Sequence, residues 1–131
     1  MEGFIDRSQW KNFLGEFTQR NQSRPTRLEV VGDIGDQIEE IHLPFVGIDF
    51  ERKGPTANIE IALANQSGGD PRHLTHFISN VERIAPIIGE NGLEEGLGIE
   101  DHDGVKTLLQ FETLPEIEGT TGQAEQRSLS L

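Results

Sequence analysis

The sequence predicts an α+β domain in which an N-terminal helix packs on a largely antiparallel β-meander, curled into a half-barrel or barrel. Three observations predict it: an apolar stripe with helical spacing near the start, alternation with a period of two after Pro25, and turn residues between the alternating segments without the spacing of parallel βαβ units. With 131 residues, 34% of them hydrophobic, the chain can form one modest core. We therefore expect a single domain over residues 1–115 and a polar tail over 116–131.

The stripe defines the helix. Four large apolar side chains recur at i, i+3, i+4 and i+7, namely Trp10, Phe13, Leu14 and Phe17. We expect a helix over residues 7–21 whose Trp10/Phe13/Phe17 stripe lies on the sheet. Replacing Phe13 with Ala should then cost about 3–5 kcal/mol. The alternative is a helix that presents this stripe to a partner.

Local signals mark both ends of the helix. Asp6 and Gln9 have the spacing of a capping box, and Ile5 and Trp10 have that of a hydrophobic staple. Pro25 prevents the helix from continuing, because it lacks the N–H that a helix interior needs.

The strand segments contain two expected irregularities. In "QIEEIHLPF" the apolar residues change face, which predicts a bulge at Glu39–Glu40. Pro86 in "RIAPIIG" indicates an edge strand or a bulge. In "VGIDFER" the alternation is regular, and the expected inward residues are Val46, Ile48 and Phe50.

Charge and composition exclude several classes of function. The chain has 11 Lys+Arg against 23 Asp+Glu, a net charge of −12, and its first 27 residues carry +2 while the remainder carries −14. Such a chain repels phosphate backbones and anionic lipids, so we expect neither nucleic acid nor a membrane as a partner. The absence of cysteine excludes thiolate metal sites and thiol nucleophiles. No secretory signal is recognisable, which makes the cytoplasm the expected location.

The acidic segment around residues 90–103 raises the question of a cation site. "DHDG" at 101–104 resembles the start of a calcium loop, but its glycine is at position four instead of six, so an EF-hand is excluded. A hairpin turn explains the motif better. A weaker hypothesis keeps Glu100, Asp101 and Asp103 as candidate ligands of a divalent cation, and the alternative is a solvated acidic loop.

The histidines do not form an evident site. His73 and His76 lie in a segment with strand character, where residues three apart point to opposite faces and cannot chelate one ion. We expect one of the two to be partly buried, and His42 and His102 to be exposed. No catalytic residue and no cofactor-binding residue is predicted, since the chain has neither a G-x-S-x-G motif nor a phosphate-binding glycine motif.

The order of three segments resembles a known family. "QWKNFLGEF", "LEVVGDIGDQIEEIHLPFVGI" and "DHDGVKTLLQFETLP" are similar to a family of short, uncharacterised bacterial proteins, a domain of unknown function, over roughly residues 5–115. The resemblance implies a single bacterial domain, and it transfers no catalytic or binding residue.

Three classes of function remain after these exclusions. The favoured class is a non-enzymatic accessory or protein-interaction domain that self-associates as a homodimer, through the tail or an exposed sheet edge. The alternative is a small-ligand binder with its pocket inside the curled sheet. A metal-dependent enzyme is the least favoured class, and it would need a cleft that joins His76 to acidic side chains.

Overall fold

A computed structural model describes residues 3–32, 35–65 and 72–112. A 3₁₀ turn at Arg7–Gln9 leads into the helix α1 at Trp10–Asn21. The strands of these residues are β1 (Pro25–Gly32), β2 (Gly35–Lys53), β3 (Thr56–Ala64), β4 (His73–Ile78), β5 (Val81–Ile88), β6 (Glu94–Asp101) and β7 (Lys106–Phe111). The expected tail over 116–131 lies outside the described residues, so the domain boundary stays a prediction.

The helix confirms the predicted span, but its start differs from the predicted capping box. Asp6 makes no capping hydrogen bond with its side chain. Its carboxylate instead accepts a hydrogen bond from the hydroxyl of Ser8. The entry is fixed by Trp10, whose indole N–H donates to the carbonyl of Ile5 at 2.9 Å. The start of the helix is therefore held by a side-chain bond from its first buried residue to the preceding segment rather than by an N-cap.

The apolar stripe faces the sheet, but Phe13 is less buried than its three neighbours in the stripe. Trp10, Leu14 and Phe17 are at most 1% exposed, whereas Phe13 is only half-buried and packs at the margin of the core. Because the free-energy cost of truncation follows the buried area, the 3–5 kcal/mol expected for Phe13 applies to Phe17 instead.

The predicted fold class is confirmed: the helix packs on a curled, antiparallel sheet that does not close into a barrel. The strand order is β4-β3-β2-β1-β7-β6-β5. Two meanders, β1 to β4 and β5 to β7, are joined where β1 pairs with β7. As a result β4 and β5, which follow each other in the chain, occupy the two opposite edges. Only Ser79 and Asn80 connect them, and this short link requires the sheet to curl.

The long strand β2 carries three interruptions of its ladder. The β1–β2 register passes from Glu40 to Ile38 and from Leu43 to Ile41, so Glu39 and His42 are extra residues. The first confirms the predicted bulge. A third shift, between Phe45 and Gly47, leaves Val46 without a partner in β3. The prediction that Val46 points inward was therefore wrong, because the bulge turns Phe45 inward instead. Ile48 is buried as predicted.

The core lies between the concave face of the sheet and the helix. Every strand contributes to it, and its members are close to fully inaccessible: Leu28, Leu43, Ile59, Ile61, Leu63, Ile84, Leu97, Ile99 and Leu109 are at most 2% exposed. Phe17 contacts both Phe45 and Phe111, with ring centroids 5.7 Å apart in each pair. The inner face of the described sheet is thus occupied by side chains. Across the described part of the chain, no helix is both long and apolar enough to cross a membrane.

Candidate functional site

The three candidate cation ligands lie at the β6–β7 hairpin. The carboxylate of Asp101 accepts hydrogen bonds from the backbone N–H of Asp103 at 2.9 Å and of Val105 at 3.0 Å. Gly104 has φ +85°, as the chain reversal requires. Asp101 therefore has a structural role in closing the predicted hairpin turn.

The other two candidates differ in their surroundings. Glu100 forms an ion pair with Arg83, 2.8 Å from carboxylate to guanidinium, while Asp103 is exposed. Within residues 3–32, 35–65 and 72–112, no group of three or more histidine and acidic side chains is placed to hold a metal ion. The weak cation hypothesis thus gains no geometric support from the described residues, and it stays a prediction.

His73 and His76 lie on β4 and point to opposite faces, as the strand period requires. His73 is exposed. His76 is half-buried on the inner face, next to Leu74 and Ile78, which confirms that one of the two is partly buried. Burial lowers the pKa of His76, and the negative charge of Glu39 opposes this shift in part. A neutral imidazole is therefore the dominant form at neutral pH.

His42 and His102 are exposed, as predicted, and each faces a glutamate. His42 is the extra residue of a bulge, with φ +75°, and its ring Nδ1 lies 2.5 Å from a carboxylate oxygen of Glu112. The imidazole of His102 lies 3.1 Å from the carboxylate of Glu82, whose hydrogen bond and charge raise the pKa of His102. Sequence periodicity missed the pairing of His42 with Glu112, because the bulge at His42 leaves no sign in the alternation of apolar residues along the sequence.

A surface groove of about 570 Å³ lies beside His42. Its walls combine charged, polar and apolar side chains: Arg27, His42, Ile87, Glu95, Gln110, Phe111 and Glu112. A smaller apolar cleft of about 190 Å³ shares Ile87 with it and is covered on one side by Phe4. Both are open depressions rather than an enclosed pocket inside the sheet.

A polar network fixes the end of the helix to the start of β6. Arg20 donates two hydrogen bonds of 3.0 Å to the carboxylate of Glu94, and the buried side-chain amide of Asn21 donates another of 2.9 Å. Partial burial raises the pKa of Glu94, but the hydrogen bonds from Arg20 and Asn21, with the charges of Arg20 and Arg24, bring it below the ordinary value. Since each of these groups is paired, the network stabilises the fold and offers no free reactive group.

The two edges of the sheet are protected to different degrees, and β5 is the covered one. The N–H of Ile5 donates to the carbonyl of Ile84 at 2.9 Å, and the guanidinium of Arg7 donates to the carbonyl of Val81 at 3.2 Å. Pro86 has no N–H to offer, in agreement with the predicted edge position. Natural sheets use such covering, proline and charge to prevent a further strand from pairing.

Among the described residues, none of these devices is found at the β4 edge. Its six residues pair with β3 in a continuous register without a bulge. The strand contains no proline, and among the seven described strands it is the one without Asp, Glu, Lys or Arg. Phe77 projects from its outer face and is 55% exposed. In the described part of the chain, no hydrogen bond outside the β3 ladder involves residues 73–78.

Over residues 3–32, 35–65 and 72–112, these features define a small α+β domain with a filled interior, one covered sheet edge and one open sheet edge. The chain belongs to DUF5335, a family of unknown function, whose model matches residues 1–118. The match confirms the predicted resemblance to a family of unknown function. Comparisons with curated proteins and with solved structures find no significant match. Bacterial origin and a cytoplasmic location stay predictions from the sequence.

Proposed function

We propose that this chain is a non-enzymatic accessory domain that binds protein chains at the open edge of β4, with a second copy of itself as partner. The difference between the two edges carries this proposal. On β5 the backbone carbonyls of Val81 and Ile84 are already bonded to the N-terminal segment. On β4 the free side is available to an added strand, which is a common mode of peptide recognition.

Electrostatics favours β4 as the place where two copies meet. With a net charge of −12, two copies repel each other over most of their surfaces. The β4 strand contains no Asp, Glu, Lys or Arg, and burial lowers the pKa of His76, which favours its neutral form. On β3, Ala62 and Ala64 stand opposite Thr75 and His73, so the outer surface beside these two residues is small and uncharged, whereas the exposed Glu60 stands opposite Phe77. Repulsion between two copies is therefore low along the part of β4 that holds His73 and Thr75.

The filled interior supports an interaction domain over the small-ligand alternative. A ligand pocket inside the curl would need space that Leu28, Ile61, Leu97 and other core residues occupy, each at most 1% exposed. The depressions that do occur lie at the surface. The inner face of the sheet therefore serves to hold the core side chains.

The test is the mass of the full chain in solution. Multi-angle light scattering at micromolar concentrations should give twice the 14.6 kDa of one chain. Phe77→Lys should give the monomer mass, because a lysine on an edge strand opposes pairing. Ile88→Lys is the matched control: Ile88 is 53% exposed on the covered edge strand, so this variant should remain dimeric.

A chain that ends at Glu116 separates the edge from the tail. Since the proposed contact lies in β4, the shortened chain should keep the dimer mass. A monomer mass for the wild type throughout the concentration range would refute self-association. An equal loss of mass in both lysine variants would remove β4 from the contact.

A further inference from the structure

Resting on the proposed function, we infer that two copies pair their β4 strands antiparallel about a two-fold axis that passes beside Thr75. The seven-stranded sheets of both copies then continue into one another. This inference adds to self-association a defined axis, a register and a set of facing side chains.

Symmetry restricts the registers that are available. When one sheet continues into its copy, the axis stands perpendicular to the sheet and the two inner faces stay on the same side. Directly opposite residues must then share a face, so a slip by one position would oppose an inner with an outer side chain. The axis must therefore pass beside a residue that faces its own counterpart. Within β4, the central choices are Thr75 and His76.

The register centred on Thr75 gives the better side-chain pairs. On the outer face Thr75 meets Thr75, a favourable cross-strand pair, and each exposed Phe77 is faced by His73 of the other copy. On the inner face Leu74, which packs against the core, is opposite His76 of the other copy. The register centred on His76 would instead place the two half-buried His76 rings against each other.

The test uses the absence of cysteine from the chain, so that any disulfide must come from an introduced thiol. In the proposed dimer the two Cα atoms at position 75 are about 4.5–5.5 Å apart, which a disulfide can bridge. Thr75→Cys should therefore form a covalent dimer on mild oxidation with diamide, seen on a non-reducing gel. Thr75 is exposed and faces Ala62, so the substitution leaves the core unchanged.

His73→Cys is the control for register. It is exposed on the same face of the same strand, but its two copies would be separated by four residues along the pair of strands, about 14 Å. This distance exceeds the limit of about 7 Å for a disulfide. The variant should stay uncrosslinked under the same conditions, with light scattering confirming that it is still dimeric without oxidant.

The outcomes separate this inference from the proposed function. Efficient crosslinking of Thr75→Cys without crosslinking of His73→Cys supports the axis. A wild-type dimer that Phe77→Lys disrupts, combined with no crosslink at position 75, overturns the axis and leaves the interaction edge in place. A crosslink in His76→Cys but not in Thr75→Cys overturns the register. A monomeric wild type overturns both.

Discussion

Replacing Phe17 with Ala removes the side chain that connects the helix to both halves of the sheet. Phe17 is 0% exposed, and its ring lies 5.7 Å from the ring of Phe45 in β2 and from that of Phe111 in β7. Truncating a fully buried Phe costs about 3–5 kcal/mol. Because these aromatic pairs add to the area term, we expect a loss of about 5 kcal/mol.

Phe13 provides the matched comparison on the same helix. It is half-buried, and its ring lies 5.9 Å from that of Phe17. Because part of its side chain stays in contact with water, Phe13→Ala should cost less than Phe17→Ala, about 2 kcal/mol. Both variants shorten the same residue type in one helix, so the difference in helix propensity is the same and burial explains the remainder.

The assay is urea unfolding followed by fluorescence. Trp10 is the single tryptophan of the chain, and its side chain is 1% exposed, so its emission should report the loss of the core. Small domains have a total stability of about 5–15 kcal/mol, so Phe17→Ala could leave a visible unfolded population in buffer. A loss below about 1 kcal/mol for Phe17→Ala, or a larger loss for Phe13→Ala, would refute the packing described here and favour a partner-binding helix.

Four further predictions concern one ion pair, one close backbone contact, one histidine and the net charge of the chain. Glu94→Gln should cost about 1–3 kcal/mol at pH 7. The lowered pKa of Glu94 contributes stability that is present above pH of about 4.3 and lost as pH falls through the folded value. The free energy of unfolding of Glu94→Gln should therefore fall less steeply in acid than that of the wild type. An unchanged dependence on pH would contradict this. An added Cβ would lie 2.1 Å from a backbone oxygen at Gly96, whereas at Gly98 the nearest atoms are at 3.7 Å. In urea unfolding, Gly96→Ala should therefore cost about 3 kcal/mol and Gly98→Ala less than about 1 kcal/mol. Equal losses would argue against the register of β6 with β7. An NMR titration should give His102 a raised pKa, which Glu82→Gln should return towards about 6.5. The stabilisation by this pair is complete below pH of about 6.5 and lost as pH rises through the folded pKa. A titration that Glu82→Gln leaves unchanged would exclude the pair. Gel shifts at physiological salt should detect no DNA or RNA complex, and a sub-micromolar, salt-sensitive complex would defeat the argument from charge.

The elements that were predictable from sequence are those whose apolar period is local and uninterrupted. The stripe that begins at Trp10 predicted the helix, and alternation through Thr107, Leu109 and Phe111 predicted the last strand, whose members at these positions are at most 7% exposed. The change of face in "QIEEIHLPF" predicted the bulge at Glu39, but the bulge does not bring Ile38 to the buried face, because Ile38 stands opposite Glu29 and is 48% exposed. The bulge at Val46 left no such mark, since "FVGI" has apolar residues in both phases.

The strand order was less accessible, because it depends on pairs that are distant in sequence. A simple meander would place β5 beside β4, and the link of Ser79 and Asn80 is short enough for a hairpin. Instead β1 pairs with β7 over six residues, from Thr26 with Phe111 to Val31 with Lys106. This pairing joins the two meanders at β1 and β7, and it sends β4 and β5 to opposite edges.

That same pairing determines where a partner can bind. Taken alone, "HLTHFI" is a neutral strand with two histidines, and in the centre of a sheet it would be covered on both sides. At the end of the strand order of the described residues, its outer backbone edge makes no hydrogen bond, its Phe77 is exposed, and the strand itself contains no Asp, Glu, Lys or Arg. The covered β5 edge shows that this chain has the means to block a strand edge, through Ile5, Arg7 and Pro86. Among the described residues nothing protects the β4 edge in this way, and the proposed function therefore depends on that edge.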